Sequence, residues 1–435
     1  MTKKARYLLI AACIIFFALA APFIVLYVRG IAFDFNTKNF YKTGIISIRS
    51  NPKSAQIYLD GQMVKSSEGN IRFLKPKEYE VSLVKQGYQK WTKRLEVSAG
   101  QVTWVNPQDV SIFLFLEKPL ASTAESSAKD FVAEDDNIYI LKENNLILSS
   151  WSDIAQKNSF TLPKPADKIL FSPGQQSLIL IEQETSSSTP VGIFLSFNLK
   201  NHSITDLSQL AGPDTKIKFA PNGNLYFIEN ENLYQIDQAK LQKTLVQKGV
   251  LDCLFGKDTF YYIGRQNETL ALFASNAPSQ PASVLAQNLP LFKTSEIFAS
   301  FNKQIFVQLD NALYQISSQP VKLADNVSQL HFNPQNSTFV LQSGSELLRL
   351  DPAGGKLDFI TRTSLPIANP RLAQNANYSL FIKDNKVLAL ELDPRDSQNE
   401  FLLYQGSALS KFEADSQTQK LLVLDNGELK IVQIR

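Results

Sequence analysis

Histidine, cysteine and methionine are scarce in this 435-residue chain, at two of each, and there are three tryptophans. Each scarcity excludes something. Cys13 lies in an apolar N-terminal run and Cys253 in a strand-like run far downstream, so they make no disulfide framework. His202 and His331 read as isolated loop or strand residues, and no CxxC occurs, so no zinc-ligand set can be assembled. Also missing are a Gly-x-Ser-x-Gly elbow, a Walker loop, an HExxH pair and an EF-hand spacing. Charge of one sign is lacking too. The formal balance is +3, and Lys3, Lys4 and Arg6 account for all of it. A body this close to neutral offers nucleic acid no electrostatic footprint. We therefore assign no catalytic, cofactor-binding or metal-binding residue. The expectation is a protein that is not an enzyme and carries no cofactor; its binding residues stay unassigned.

What is present begins with residues 7–28, an uncharged apolar run. As a helix it spans about 33 Å, enough for a hydrocarbon core of about 30 Å. Pro22 is compatible with spanning. Three cations precede the run and only Arg29 follows it closely, which predicts a cytoplasmic N-terminus and an exported remainder. Ala18-Leu19-Ala20 resembles a signal-peptidase site, so cleavage is the alternative. Apolar residues continue from Phe23 to Val28, which favours an uncleaved single-pass anchor. Residues 30–42 read as a short stalk, with Phe33, Phe35, Phe40 and Tyr41 suited to a membrane interface.

Helical periodicity is absent after residue 30, and the tone turns to β. Ile45–Ser50, Gln56–Leu59, Tyr79–Val84 and Trp91–Val97 read as strands, with turns at Asn51-Pro52, Asp60-Gly61 and Gln86-Gly87-Tyr88. The order Gly44-x-Ile46-x-Ile48-x-Ser50-x-Pro52, then Ala55-x-Ile57-Tyr58-Leu59-Asp60-Gly61, then Tyr79-x-Val81-x-Leu83-x-Lys85-x-Gly87-Tyr88 and Trp91, resembles a PEGA domain over residues 43–106. The stretch Pro52-Lys53-Ser54-Ala55 lacks the family's usual glycine, and Lys75-Pro76-Lys77-Glu78 replaces its Pro-Gly. The resemblance implies a β-sandwich-like extracytoplasmic interaction or spacer module with no catalytic group. Residues 43–118 carry 11 Lys/Arg against 7 Asp/Glu, a charge suited to anionic lipid or wall polymer and equally to a plain solvated face.

From Asp130 onward a phrase of about 40 residues returns roughly eight times, the length of one four-stranded propeller blade. It opens near Phe131, Phe171, Phe219, Phe255, Phe301, Phe332, Ala373 and Glu413, as in Ile169-Leu170-Phe171-Ser172-Pro173 and Leu330-His331-Phe332-Asn333-Pro334. A lone sheet cannot bury both faces, whereas a ring of stacked sheets buries each against its neighbour. Eight blades are favoured and seven stay open, because the unit at residues 251–274 is degenerate; a pair of sandwiches is the architectural alternative. The last unit is one strand short, and residues 110–116 are expected to supply the outer closing strand.

The division is thus residues 1–29 (tip and transmembrane anchor), 30–42, 43–106 and a propeller over 109–435. Asp60, Asp237, Asp351 and Asp425 sit where turns favour Asp, and Glu134-Asp135-Asp136 reads as a hairpin tip rather than a calcium loop. Long insertions at residues 182–191, 275–283 and 393–400 are candidate contact loops, and Arg265, Arg349, Arg362 and Arg371 candidate anchors for a polar ligand. The expected function is a non-catalytic binding or scaffolding protein of the cell envelope. Its expected partners are the membrane and an envelope protein or cell-wall glycan, with no nucleic acid. A propeller hydrolase or lyase acting on an envelope glycan or peptide is the alternative.

Overall fold

The computed structural model describes residues 3–35, 38–106, 110–171, 177–182, 193–212, 214–266, 268–301, 304–333, 338–352, 356–373, 375 and 377–435. Most of the 182–191 insertion, and the Ser172-Pro173 and Pro334 ends of two repeat openings, lie outside the described residues.

Lys3–Val28 is one helix, and its stretch Leu9–Val28 is long and apolar enough to cross a membrane. None of that stretch is buried inside the protein. Gly30 turns the chain at a φ of +66°, a left-handed conformation that glycine adopts without steric cost. The expected stalk is a hairpin, Ile31–Asp34 against Asn39–Lys42. It is tied down at both ends. Thr43 N–H donates to the Gly30 carbonyl at 2.7 Å, and Lys75 pairs with Asp34 at 2.7 Å.

The small domain is a two-sheet sandwich. One sheet orders Gln62–Lys65, Gln56–Leu59, Lys77–Val84 and Trp91–Val97; the other orders Val102–Trp104, Gly44–Ile48 and Gly69–Leu74. Alternation along the strands puts Ile46, Ile48, Ile57, Val81, Leu83, Trp91 and Leu95 into the core between them. The expected strands are present, and the Asp60-Gly61 turn has both residues at positive φ.

From residue 120 onward, eight four-stranded antiparallel sheets follow among the described residues. The degenerate unit is a complete blade, Asp252–Phe255, Phe260–Gln266, Thr269–Ser275 and Ser283–Ala286. Blades 1 to 8 begin with Asp130–Glu134, Lys168–Leu170, Lys216–Phe219, Asp252–Phe255, Ser295–Phe301, Val327–Asn333, Ala368–Leu372 and Leu409–Ala414. Several of these first strands approach the first strand of the next blade, so they form the inner ring of a β-propeller. Second strands carry the fully buried Phe227, Phe260, Phe306, Phe339 and Phe381, which fill the spaces between neighbouring sheets.

Closure differs from expectation. The outer strand of blade 8 is Leu120–Glu125, paired antiparallel with Glu428–Gln433. Glu125 also meets Lys142 and Lys157 of blade 1, each at 2.7 Å. Residues 110–116 do another job. Ile112–Phe113 runs parallel to Ser50–Asn51 of the small domain, and Leu116 N–H donates to the Ile434 carbonyl at 2.9 Å. The reason is burial. Ile112, Phe113, Leu114 and Phe115 are all buried, which an exposed rim strand would not allow.

Candidate functional site

Two regions concentrate polar groups: the joint between the domains and the inner ring. At the joint, the strand Trp91–Val97 alternates buried and accessible residues, and Lys93 falls on the buried parity between Trp91 and Leu95. Its ammonium is fully enclosed. It donates to the Asp393 carbonyl oxygen at 2.9 Å and lies 3.1 Å from Glu391 Oε2 and 3.4 Å from Asp393 Oδ2. One hydrogen bond and two ion-pair contacts thus surround the buried charge. Glu391 also accepts from Trp91 Nε1 at 3.2 Å and Asn399 Nδ2 at 2.7 Å. Arg395 grips the Asp393 carboxylate and reaches the carbonyls of Trp104 at 3.1 Å and Val105 at 2.9 Å. Burial alone would raise the Asp393 carboxyl, but the Arg395 hydrogen bonds and the nearby Lys93 charge hold it below the usual range.

Apolar packing seals the same joint. Phe113 and Phe115 lie against Tyr378 with ring centroids 5.9 and 5.4 Å apart, and the Tyr378 hydroxyl donates to the Phe113 carbonyl at 3.2 Å. A single core runs from Ile46 and Trp91 through Phe115 to Tyr378, Phe401 and Phe412. The 393–400 insertion is therefore engaged inside the molecule: Asp396 accepts from Arg94 N–H at 2.9 Å, and Asn399 donates to the Thr92 carbonyl at 3.1 Å. Ser279, in the 275–283 insertion, donates to the Val246 carbonyl of blade 3.

The inner ring is stapled from blade to blade. Ile169 N–H donates to Asp130 at 2.9 Å, Ile297 N–H to Asp252 at 2.8 Å, and Asn369 N–H to Gln329. Inner strands have an unpaired edge, and these acceptors satisfy amides that would otherwise go without. Cations complete the belt: Lys411 with Asp130 at 2.8 Å, Lys218 with Asp252 at 2.6 Å, Arg371 with Glu413 at 2.8 Å. Burial opposes the charged form of Glu413, yet Arg371 and Lys411 hold its carboxyl below the ordinary value. Glu296 is open to solvent but hemmed by the ring, and this enclosure, with Asp252 nearby, pushes its carboxyl up. Burial and the Arg371 charge press the His331 imidazole down to about 4, so it is neutral at pH 7.

The four candidate arginines do not converge. Arg265 pairs with Glu231, Arg349 with Asp358, Arg362 with Glu346 and Arg371 with Glu413. His202 stacks on Phe197 and lies tilted against Phe160 at a turn. Asp60 and Asp237 do serve turns: Asp60 accepts from Glu80 N–H and Asp237 from Ala239 N–H. Asp136 caps Ser152 at its hairpin, and no group of three or more metal-ligating side chains occurs among the described residues. Asp351 ends the third strand of blade 6. Asp425 does more than turn the chain, since it gathers five donors between blades 7 and 8. Among the open recesses of the described residues are two with mixed polar and aromatic linings. One, of about 420 Å³, lies between blades 3 and 4 beside Asn222, Tyr226, Phe255 and Lys257. The other, of about 620 Å³, lies on the small domain beside Arg49, Asn51, Glu68 and Trp104.

The molecule is thus a β-propeller carried on a small β-sandwich behind one apolar helix. Residues 43–108 match the family of the PEGA domain. No curated protein matches the chain in sequence. Among solved structures, a streptogramin B lyase is similar at 11% identity and a TM-score of 0.42, over 73% of this chain and 98% of that one. The crystal structure of a eukaryotic initiation factor is similar at 10% identity and a TM-score of 0.49, over 81% and 90% of the respective chains. Neither likeness carries an inference about activity.

Proposed function

We propose that this chain is a membrane-anchored, extracytoplasmic platform of the cell envelope, non-catalytic, whose propeller docks an envelope protein or a cell-wall glycan. The observation that carries the reading is mechanical continuity. One buried core and the Lys93–Glu391 pair join the sandwich to the propeller, and the Thr43–Gly30 hydrogen bond and the Lys75–Asp34 pair tie the hairpin to the helix end and the sandwich, so the ring is held on its anchor. A rigid mount suits a surface that must be presented in one orientation. Support for binding over hydrolysis comes from three of the inner-ring acids, Glu296 with its raised carboxyl being set apart from them. Asp130, Asp252 and Glu413 each hold a lysine or arginine, and a carboxylate committed to a cation is a poor general acid. Phe359, Val321 and Leu291 are exposed large apolar side chains on the propeller surface and give three positions from which a docked partner can be probed.

Topology is tested with one surface thiol. Cys253 is buried, and burial pushes its thiol up, so it stays unreactive. With Cys13→Ser removing the exposed helix thiol and Ser416→Cys at an exposed turn, a membrane-impermeant maleimide added to intact cells is expected to label the chain. Labelling only after permeabilisation overturns the localisation. For the partner, photo-reactive residues at Phe359 and Val321 in intact cells are expected to give a discrete adduct with an envelope protein or wall polymer. Uniform absence of adducts from both positions and from Leu291 overturns the docking role.

A further inference from the structure

The hairpin after the helix has two chemically different faces. Side chains alternate along a strand, so Phe33 and Phe35 share one face, and Phe40 lies directly across from Phe33. Their rings touch, with Phe33 centred 5.2 Å from Phe35 and 5.1 Å from Phe40. All three reach solvent: Phe33, Phe35 and Phe40 are 39%, 84% and 63% exposed. The opposite face is polar and occupied, since Asp34 pairs with Lys75, whose ammonium sits 5.9 Å from the centre of the Tyr41 ring.

The height of this hairpin follows from two contacts. Tyr27, in the last turn of the helix, stacks on Phe73 at 4.6 Å. Lys75 lies two residues beyond Phe73, at most about 7 Å of chain. Lys75 holds Asp34 at the far end of the first hairpin strand, so the hairpin is folded alongside the helix end instead of projecting away. Arg29, Lys38 and Lys42 are exposed around it. Exposed aromatic rings with a cationic collar, level with the end of a membrane-spanning helix, have the composition of an interfacial anchor.

We infer that the aromatic face of this hairpin inserts into the interfacial zone of the bilayer, a second membrane contact beside the helix. The occupant is lipid, and the inference rests on the reading that the helix crosses a membrane. That zone is roughly 5–8 Å deep on each side, enough to take a ring from each of the three phenylalanines. One helix alone leaves a domain free to swivel about the membrane normal and to tilt. A second point of insertion, joined to the sandwich through Lys75–Asp34, removes the tilt and sets which side of the sandwich faces the lipid.

The test uses the full chain in vesicles of phosphatidylcholine and phosphatidylglycerol. Variants Phe35→Trp and Phe40→Trp are compared with Phe16→Trp, which lies within the helix, each corrected for the emission of the parent's own tryptophans. With lipids brominated near the top of the acyl chains, Phe35→Trp and Phe40→Trp are expected to emit at shorter wavelength and to be quenched. With lipids brominated deep in the chains, Phe16→Trp is expected to be the one quenched. Quenching at Phe16→Trp without any at Phe35→Trp and Phe40→Trp overturns the inserted hairpin while leaving the spanning helix intact. Absence of quenching at all three overturns both. A blue shift at Phe35→Trp without quenching means protein covers the face, a second copy included, and overturns the lipid assignment.

Discussion

Replacing Lys93 by alanine is expected to destabilise the full chain by about 3–5 kcal/mol, because it strands the buried Glu391 carboxylate without its cation. The side chains of Lys93 and Glu391 are 0% and 2% exposed, so no solvent replaces the lost ammonium. Trp91, whose indole shares Glu391, reports the change directly. Urea unfolding followed by tryptophan fluorescence should show the midpoint falling, and proteolysis should appear first at residues 393–400. Pairing Lys93→Met with Glu391→Gln should recover much of the loss, since the neutral amide keeps an acceptor for Trp91 and no charge is left alone. A single variant as stable as the parent would refute the joint described here. The joint also has a pH signature. Asp393 has a folded pKa below its unfolded value of about 3.9, so it stabilises the fold above that pH. This contribution is lost as pH falls through the folded value, and Asp393→Asn should flatten the acid limb of the stability profile.

Asp425→Ala is the second large effect, again expected at about 3–5 kcal/mol. The carboxylate is 2% exposed and accepts from Ser407 N–H and Ala408 N–H, each at 2.9 Å, and from the Tyr404 hydroxyl at 2.9 Å. Lys430 adds an ion pair at 3.0 Å. Burial raises its pKa, but these donors more than compensate and hold it far below the carboxylate range. It joins the last strand of blade 7, the connection between the blades and the strand Glu428–Gln433 of blade 8. Losing it should loosen the closing blade, seen as new protease cleavage near residues 406–408 together with a lower denaturation midpoint. A midpoint unchanged from the parent would mean that the five donors find equivalent partners without it.

Much of this architecture was written in local pattern. The blade period, the apolar helix and the order of the sandwich strands depend on alternation and turn residues, which a sequence displays openly. The closing strand was misplaced for a physical reason. Leu120–Glu125 is a rim strand whose first four residues are exposed, so Leu-Ala-Ser-Thr carries no apolar alternation. Residues 110–116 looked like a strand of the ring because they are apolar, and they are apolar because they lie between two domains. The joint left one trace. In Trp91-Thr92-Lys93-Arg94-Leu95 a lysine holds a position whose neighbours on the same face are buried, and such a lysine calls for a buried anion. Its partners, Glu391 and Asp393, lie some 300 residues away, and nothing local identifies them. The inner-ring pairs are equally non-local, since Arg371 and Glu413 stand in different blades.

The clasp of Leu120–Glu125 on Glu428–Gln433 also bears on how the chain acquires its shape. The two strands that meet there are roughly three hundred positions apart, the costliest kind of contact to form during folding. Synthesis from the N-terminus delivers the first strand early and the second only after the other blades have emerged. Until then the waiting strand has an unpaired edge, exposed to any other extended segment nearby. Its sequence suits that wait: Leu120 to Glu125 is short and largely polar, with few groups to drive aggregation. The fold completes itself last at the seam it began with.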